Sequence, residues 1–168
     1  NKKWGRDTFL GFDPTLELTC QDGVLKIKSG FEITEKVTHP MEYIRKIIKD
    51  NKTPVLEGLP PFAGGLVGYF SYDYIKYSEP SLKLSAKDEE SFKDVDLMLF
   101  DKIICFDNYR QKIQLIVNCK TDNLETNYHQ AQRQLSDMAD LILHGEAAEE
   151  KPLHLKSEFR PLFSKDAY

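Results

Sequence analysis

The residues in this 168-residue chain that could do chemistry are few, and glycines come first. Gly64, Gly65 and Gly68 sit inside Pro61-Phe62-Ala63-Gly64-Gly65-Leu66-Val67-Gly68-Tyr69-Phe70-Ser71-Tyr72-Asp73. A phosphate-cradling loop needs G-x-G-x-x-G or a closing Lys-Ser/Thr, so that backbone N–H groups converge on the oxyanion. The spacing here is G-G-x-x-G with no such lysine, which excludes a phosphate loop. Asp73 ends the aromatic run where a strand meets a helical turn, a place that suits an N-cap better than a general base. Arg6 offers a guanidinium fork that can pair with a ligand carboxylate, with a resting place on the Trp4 ring as the simpler use.

No other set of side chains reads as catalytic. A G-x-S-x-G elbow is absent, and acids such as Asp88-Glu89-Glu90 lie in runs typical of solvated surface. Cys20, Cys105 and Cys119 are widely spaced, each within or at the end of an apolar segment, and read as reduced, half-buried structural thiols. With no C-x-x-C pair and with His39, His129, His144 and His154 scattered, no metal site is expected. A net charge of −4 without a basic stripe argues against nucleic acid. No apolar run approaches the ~18 residues of a membrane span, and no apolar segment follows the polar start. A cytoplasmic protein is the expectation.

These residues must be positioned by strands and two helices. Leu66–Tyr72 carries no charge and reads as a central strand buried on both faces, entered through a bend at Gly64-Gly65. Upstream, Asp7–Phe12 is a short strand closed by Asp13-Pro14. Leu16–Cys20 and Val24–Lys28 alternate with period two around Asp22-Gly23, which predicts a hairpin, and Phe31–Thr34 adds a third strand. Pro40 with Glu42 starts a helix whose stripe is Met41, Ile44, Ile47 and Ile48, ending near Asn51. Tyr74–Tyr77 reads as a helical turn stopped at Glu79-Pro80, and Ser85–Asp94 as a charged surface loop. Leu97–Phe106 reads as one strand, returned by Ile113–Val117 through a turn at Asp107–Arg110.

Thr121 or Asp122 can cap a helix reaching about His144, with Leu124, Tyr128, Leu135, Met138, Ala139, Leu141 and Ile142 on one face and Gly145 as C′. Residues 1–145 are expected to form one domain and 146–168 an acidic linker followed by the start of something further. The class is α+β, with mainly antiparallel, sandwich-like sheets flanked by helices. The missing initiator Met and the new apolar segment near Tyr168 lead us to expect a piece of a longer polypeptide.

Three stretches, in order, carry a resemblance. Trp4-Gly5-Arg6-Asp7-Thr8-Phe9-Leu10-Gly11-Phe12-Asp13-Pro14 is similar to W-x-R-Y-S-F-I-G-x-x-P, and Pro61–Asp73 to P-F-x-G-G-x-V-G-Y-x-S-Y-D. Asp94–Asp107 resembles the D-x-x-x-M-L-F…D segment. Together they resemble the amino-terminal domain of anthranilate synthase component I. The resemblance implies that fold and a parent enzyme, a lyase, converting chorismate and glutamine-derived ammonia to anthranilate and pyruvate on the route to tryptophan. It implies Mg²⁺ in the parent, a glutamine amidotransferase subunit as partner, and a carboxy-terminal chorismate-binding domain that holds the catalytic residues.

No catalytic or metal residue is therefore expected in this chain, which by itself should be inactive. The family's tryptophan feedback site lies between the two domains, and Arg6 is the ligand-binding residue implied here. Asp7 stands where the family usually has an aromatic residue, and Thr8 where it has Ser. Two alternatives stand beside this reading: the equivalent domain of aminodeoxychorismate synthase component I on the folate route, and a non-catalytic small-molecule binding domain.

Overall fold

The computed structural model describes residues 5–79, 81–82, 88–149 and 152–167. In chain order it contains β1 (Asp7–Gly11), β2 (Leu16–Gln21), β3 (Val24–Ser29), β4 (Phe31–Lys36), α1 (Pro40–Asp50) and β5 (Gly65–Phe70). A 3-10 helix (Tyr72–Tyr77) follows, then β6 (Val95–Phe100), β7 (Lys102–Asp107), β8 (Lys112–Val117) and α2 (Leu124–His144). The strands form a five-stranded sheet in the order β4-β3-β2-β6-β5 and a three-stranded sheet in the order β1-β7-β8. Every neighbouring pair is antiparallel. The α+β class with antiparallel sheets is as the sequence predicts.

The β2–β3 hairpin seeds the larger sheet. Asp22 and Gly23 both take positive φ (47° and 74°), the two-residue turn whose twist matches the flanking strands. Period-two alternation then puts Leu18, Cys20 and Leu25 on the inner face, joined by Val95, Leu97 and Leu99 of β6. Ile44 and Ile47 of α1 close this core. The stripe on α1 is narrower than predicted, because Ile48 is 56% exposed. Against the smaller sheet, α2 lies along β8 and buries Ala131 and Met138. Deleting the packed atoms of a residue such as Leu18 should cost roughly 2–5 kcal/mol.

Several expectations need correction. The aromatic strand is not central: β5 is the edge of the larger sheet, and Val67, Tyr69 and Phe70 are 47%, 39% and 46% exposed. An uncharged run satisfies a strand with two covered faces equally well as one whose cover comes from elsewhere. The predicted strand Leu97–Phe106 is really two, β6 and β7, in different sheets and separated by Asp101. Asp73 is not a cap; Ser71 holds that position without a side-chain bond, and Asp73 sits in the first turn. Gly145 ends α2 with extended angles (φ −66°, ψ 145°) rather than as a left-handed C′ residue, and Asn123, not Thr121 or Asp122, is at the N-cap.

The third glycine of the block has a steric reason. Gly68 pairs with Leu97 at φ 156°, and a Cβ there would collide with the Asp96 carbonyl of β6. Asp94, expected on a surface loop, is instead 4% exposed. Its Oδ2 accepts from Tyr77 Oη (2.7 Å) and from the Asp22 N–H (2.8 Å), and its Oδ1 pairs with Lys76 Nζ (2.8 Å). Tyr77 Oη in turn accepts from the Gly23 N–H at 2.7 Å, and burial raises the phenol's pKa, keeping it a neutral donor. The 3-10 helix after β5 is thereby tied to the β2–β3 turn. Residues 83–87 of the predicted surface loop and Pro80 lie outside the described residues.

Tyr77→Phe leaves the Gly23 N–H and one Asp94 oxygen short of a partner, so denaturant melts should show a loss of roughly 1–3 kcal/mol. Gly68→Ala should destabilise by at least as much, with faster hydrogen exchange concentrated in β5 and β6.

Candidate functional site

The turn between β7 and β8 fixes the surroundings of Arg6. Asp107 closes β7, and its Oδ1 accepts the backbone N–H of Tyr109 (3.0 Å) and of Arg110 (2.9 Å), as an Asx turn does. Because β1 pairs with β7 in the register Asp7↔Asp107, two carboxylates meet at the start of β1. Arg6 lies between them. Its Nη2 donates to Asp107 Oδ2 at 2.8 Å, its Nε to Oδ1 at 3.4 Å, and Nε lies 3.9 Å from Asp7 Oδ1. The Arg6 carbonyl also accepts the Asn108 N–H at 2.7 Å. Hydrogen bonding from Arg6, then from the Arg110 amide, lowers the Asp107 pKa to about 2.

Beside this pair is a recess of about 170 Å³ lined by Pro60, Pro61, Arg110 and Gln114 as well as Arg6 and Asp107. Arg6 reaches it with its side chain 35% exposed. A carboxylate ligand at Arg6 would share the guanidinium with Asp107. The suggested contact of Arg6 with Trp4 lies outside the described residues, since Trp4 is not among them.

A larger cavity, about 410 Å³, opens where the two sheets join. Its wall includes Gly64 and Gly65 at the entry to β5, Asp101, Asn118 beyond β8, and Gln130 of α2. Asn118 braces the corner: its backbone N–H donates to the Asp101 carbonyl (2.8 Å), and its Nδ2 to the carbonyls of Ala63 (2.6 Å) and Asp101 (3.2 Å). Asp101 Oδ1 is buried with no hydrogen-bond partner, and burial pushes this carboxyl's pKa upward. Sequence reading missed Asp101 and Asn118. The available signal was the charged pair Asp101-Lys102 interrupting an apolar run, which marks a break rather than a continuous strand.

The cysteines divide. Cys20 and Cys105 are buried and free, with pKa values raised mainly by burial, which keeps them protonated and inert. Cys119 is exposed at the rim of the larger cavity, against the expectation of a half-buried thiol. Among the described residues no group of three or more His, Cys, Asp or Glu side chains could hold a metal ion. No helix among them is long and apolar enough to cross a membrane.

The Asp107 pair has a pH signature. A carboxylate whose pKa falls from 3.8 to about 2 on folding adds stability that is present above 3.8 and lost as pH drops towards 2. Urea melts of the wild-type chain and of Asp107→Asn should therefore differ most at neutral pH. The gap should close between pH 3.8 and about 2.

Comparison with known proteins agrees with this architecture. Anthranilate synthase component 1 of Acinetobacter calcoaceticus is 32% identical over 99% of this chain and 34% of its own length. The same enzyme of Saccharomyces cerevisiae is 31% identical over 100% of this chain and 32% of its own. Aminodeoxychorismate synthase component 1 of Bacillus subtilis is 32% identical over 73% of this chain. The crystal structure of anthranilate synthase component I from Streptococcus pneumoniae shares the fold with a TM-score of 0.60 at 22% identity, covering 83% of this chain and 31% of that one. The chain thus spans about a third of the length of the relatives it matches. The family model for chorismate binding enzyme matches residues 1–168, end to end, and the chain belongs to that family.

Proposed function

We propose that this chain is the amino-terminal, regulatory and structural part of an anthranilate synthase component I. The parent is a lyase that turns chorismate and ammonia into anthranilate and pyruvate in tryptophan biosynthesis. The observation that carries this reading is the pattern of coverage. The Acinetobacter and Saccharomyces component 1 relatives align with essentially the whole chain, while the chain aligns with only a third of each. The exposed apolar edge at Val67, Tyr69 and Phe70 fits the same reading, because a carboxy-terminal chorismate-binding domain would supply the missing cover. On this reading residues 1–145 form the domain and 146–168 lead into the next one.

The proposal extends to the parent's chemistry. Mg²⁺ and the chorismate-binding residues belong to the carboxy-terminal domain, a glutamine amidotransferase subunit delivers ammonia, and the enzyme works in the cytoplasm. Tryptophan acts as feedback inhibitor, with Arg6 at the amino-terminal side of its pocket. Asp107 keeps the Arg6 side chain in place through two hydrogen bonds, so an inhibitor's carboxylate would meet an already oriented guanidinium.

The second reading, aminodeoxychorismate synthase component I, is favoured by the Bacillus subtilis match at equal identity. It covers less of the chain than the Acinetobacter and Saccharomyces matches do, 73% against 99% and 100%.

The test joins this chain to the part of the Acinetobacter relative that it does not align with. Chorismate, Mg²⁺ and ammonium are then supplied and the product is followed by fluorescence and mass. The chain alone should give no anthranilate and the joined protein should give anthranilate. Aminodeoxychorismate as product would replace the first reading with the second, and turnover by the chain alone would refute the assignment of catalysis to the other domain. Arg6→Ala in the joined protein should weaken tryptophan inhibition about tenfold or more, the loss expected for one charge-assisted contact.

A further inference from the structure

The recess beside Arg6 is bordered by two opposite charges that the fold leaves largely unmatched. One wall is a face of the smaller sheet. Asp7 and Asp107 stand opposite each other on β1 and β7, and Gln114 of β8 stands opposite Cys105, two positions from Asp107. Gly58, Pro60 and Pro61 form another wall, which Gln114 secures by donating from Nε2 to the Gly58 carbonyl at 3.1 Å. Asp107 is satisfied within the fold, because its two oxygens accept from Arg6 and from the amides of Tyr109 and Arg110.

Asp7 and Arg110 are not satisfied in that way. The Asp7 side chain keeps 16% of its surface open, and its ion pair among the described residues is the long one to Arg6 Nε, 3.9 Å. Arg110 is exposed, and its guanidinium has no hydrogen bond or ion pair among the described residues. Arg6 gives Nε and Nη2 to Asp107 and keeps Nη1 for something else. The other wall residues carry no charge, and the two prolines have no N–H to offer. Two guanidinium donors and one carboxylate therefore remain open, the complement of a molecule that is both anion and cation. At about 170 Å³ the recess is smaller than the roughly 300 Å³ at which ordinary ligand pockets begin, so it admits a head group and no large side chain.

We infer that the recess binds the head group of an α-amino acid, Arg110 and Arg6 taking the carboxylate and Asp7 the ammonium, with the side chain left outside. The inference rests on the reading of Arg6 as part of a tryptophan feedback site and divides that recognition in two. The recess reads what all amino acids share, and the indole is read beyond it. Asp7 and Arg110 are thereby binding residues beside Arg6, brought together by the β1–β7 register and the turn after β7.

Glycine is the probe, with acetate and methylammonium as its anionic and cationic halves and tryptophan as the large counterpart. Each is titrated into the ¹⁵N-labelled chain and amide shifts are followed. Glycine should give saturable shifts at Asp7, Asp107, Tyr109 and Arg110, at the roughly millimolar affinity a fragment of this size reaches. Tryptophan should match it within about threefold, while acetate and methylammonium should bind about tenfold more weakly or worse. Asp7→Asn should weaken glycine about tenfold without weakening acetate. Arg110→Gln, at an exposed turn position, should weaken glycine and acetate alike without weakening methylammonium. Shifts that do not saturate, acetate or methylammonium binding as tightly as glycine, or glycine binding unchanged in both variants would overturn the proposal. The feedback reading is judged separately, by tryptophan inhibition of the joined protein. Inhibition that responds to Arg6→Ala but to neither Asp7→Asn nor Arg110→Gln overturns the head-group site alone. A joined protein that tryptophan does not inhibit overturns the feedback reading, and the amino-acid site then stands on glycine binding to the chain.

Discussion

One polypeptide stretch has to serve two sheets, and the structure depends on how it does so. Val95–Phe100 and Lys102–Asp107 are separated by one residue, yet the first pairs with β2 and β5 and the second with β1 and β8. A strand that changes sheets leaves backbone groups at the bend without ladder partners, and buried backbone groups must be paired. Asn118 meets that need by donating twice to the Asp101 carbonyl and once to that of Ala63. The position it occupies sets a condition on Gly64, where a Cβ would lie 2.6 Å from Asn118 Nδ2 and 3.0 Å from the Phe100 carbonyl oxygen. Corner, amide brace and glycine form one steric unit.

Two further ties use charge for the same end. Asp94 gathers the β2–β3 turn, Tyr77 and Lys76, and Asp107 gathers Arg6 with its own turn. In both, a well-buried carboxylate is fully engaged by donors, which suits positioning and leaves little capacity for proton transfer. Asp101 differs, being the carboxylate at the sheet corner with an oxygen left unmatched. The arrangement accords with a family whose turnover, on our reading, belongs to another part of the polypeptide.

Much of the fold was legible in the chain because local patterns sufficed. The hairpin at Asp22-Gly23, the helix from Pro40 and the strands around Asp107–Arg110 follow from turn chemistry and periodicity. Less of the candidate site was legible. Arg6 was singled out as a possible carboxylate partner, but its partner Asp107 lies 101 positions away, brought there by the β1–β7 register. Asp101 and Asn118 carry no motif, and Asp94 looked like the end of a solvated run until the fold enclosed it.

The family signature Pro61–Asp73 is where the two levels divide most clearly. Its sequence determined a glycine bend leading into an apolar strand, and marked the chain as a chorismate-enzyme relative, because local sterics and side-chain types are written residue by residue. Only the tertiary structure decided that this strand is an edge, with its aromatic residues half uncovered. It also decided that Gly64 and Gly65 wall a cavity rather than lie in a core. Strand order and the meeting of two sheets are set by pairings between distant segments, and no window of the sequence contains them.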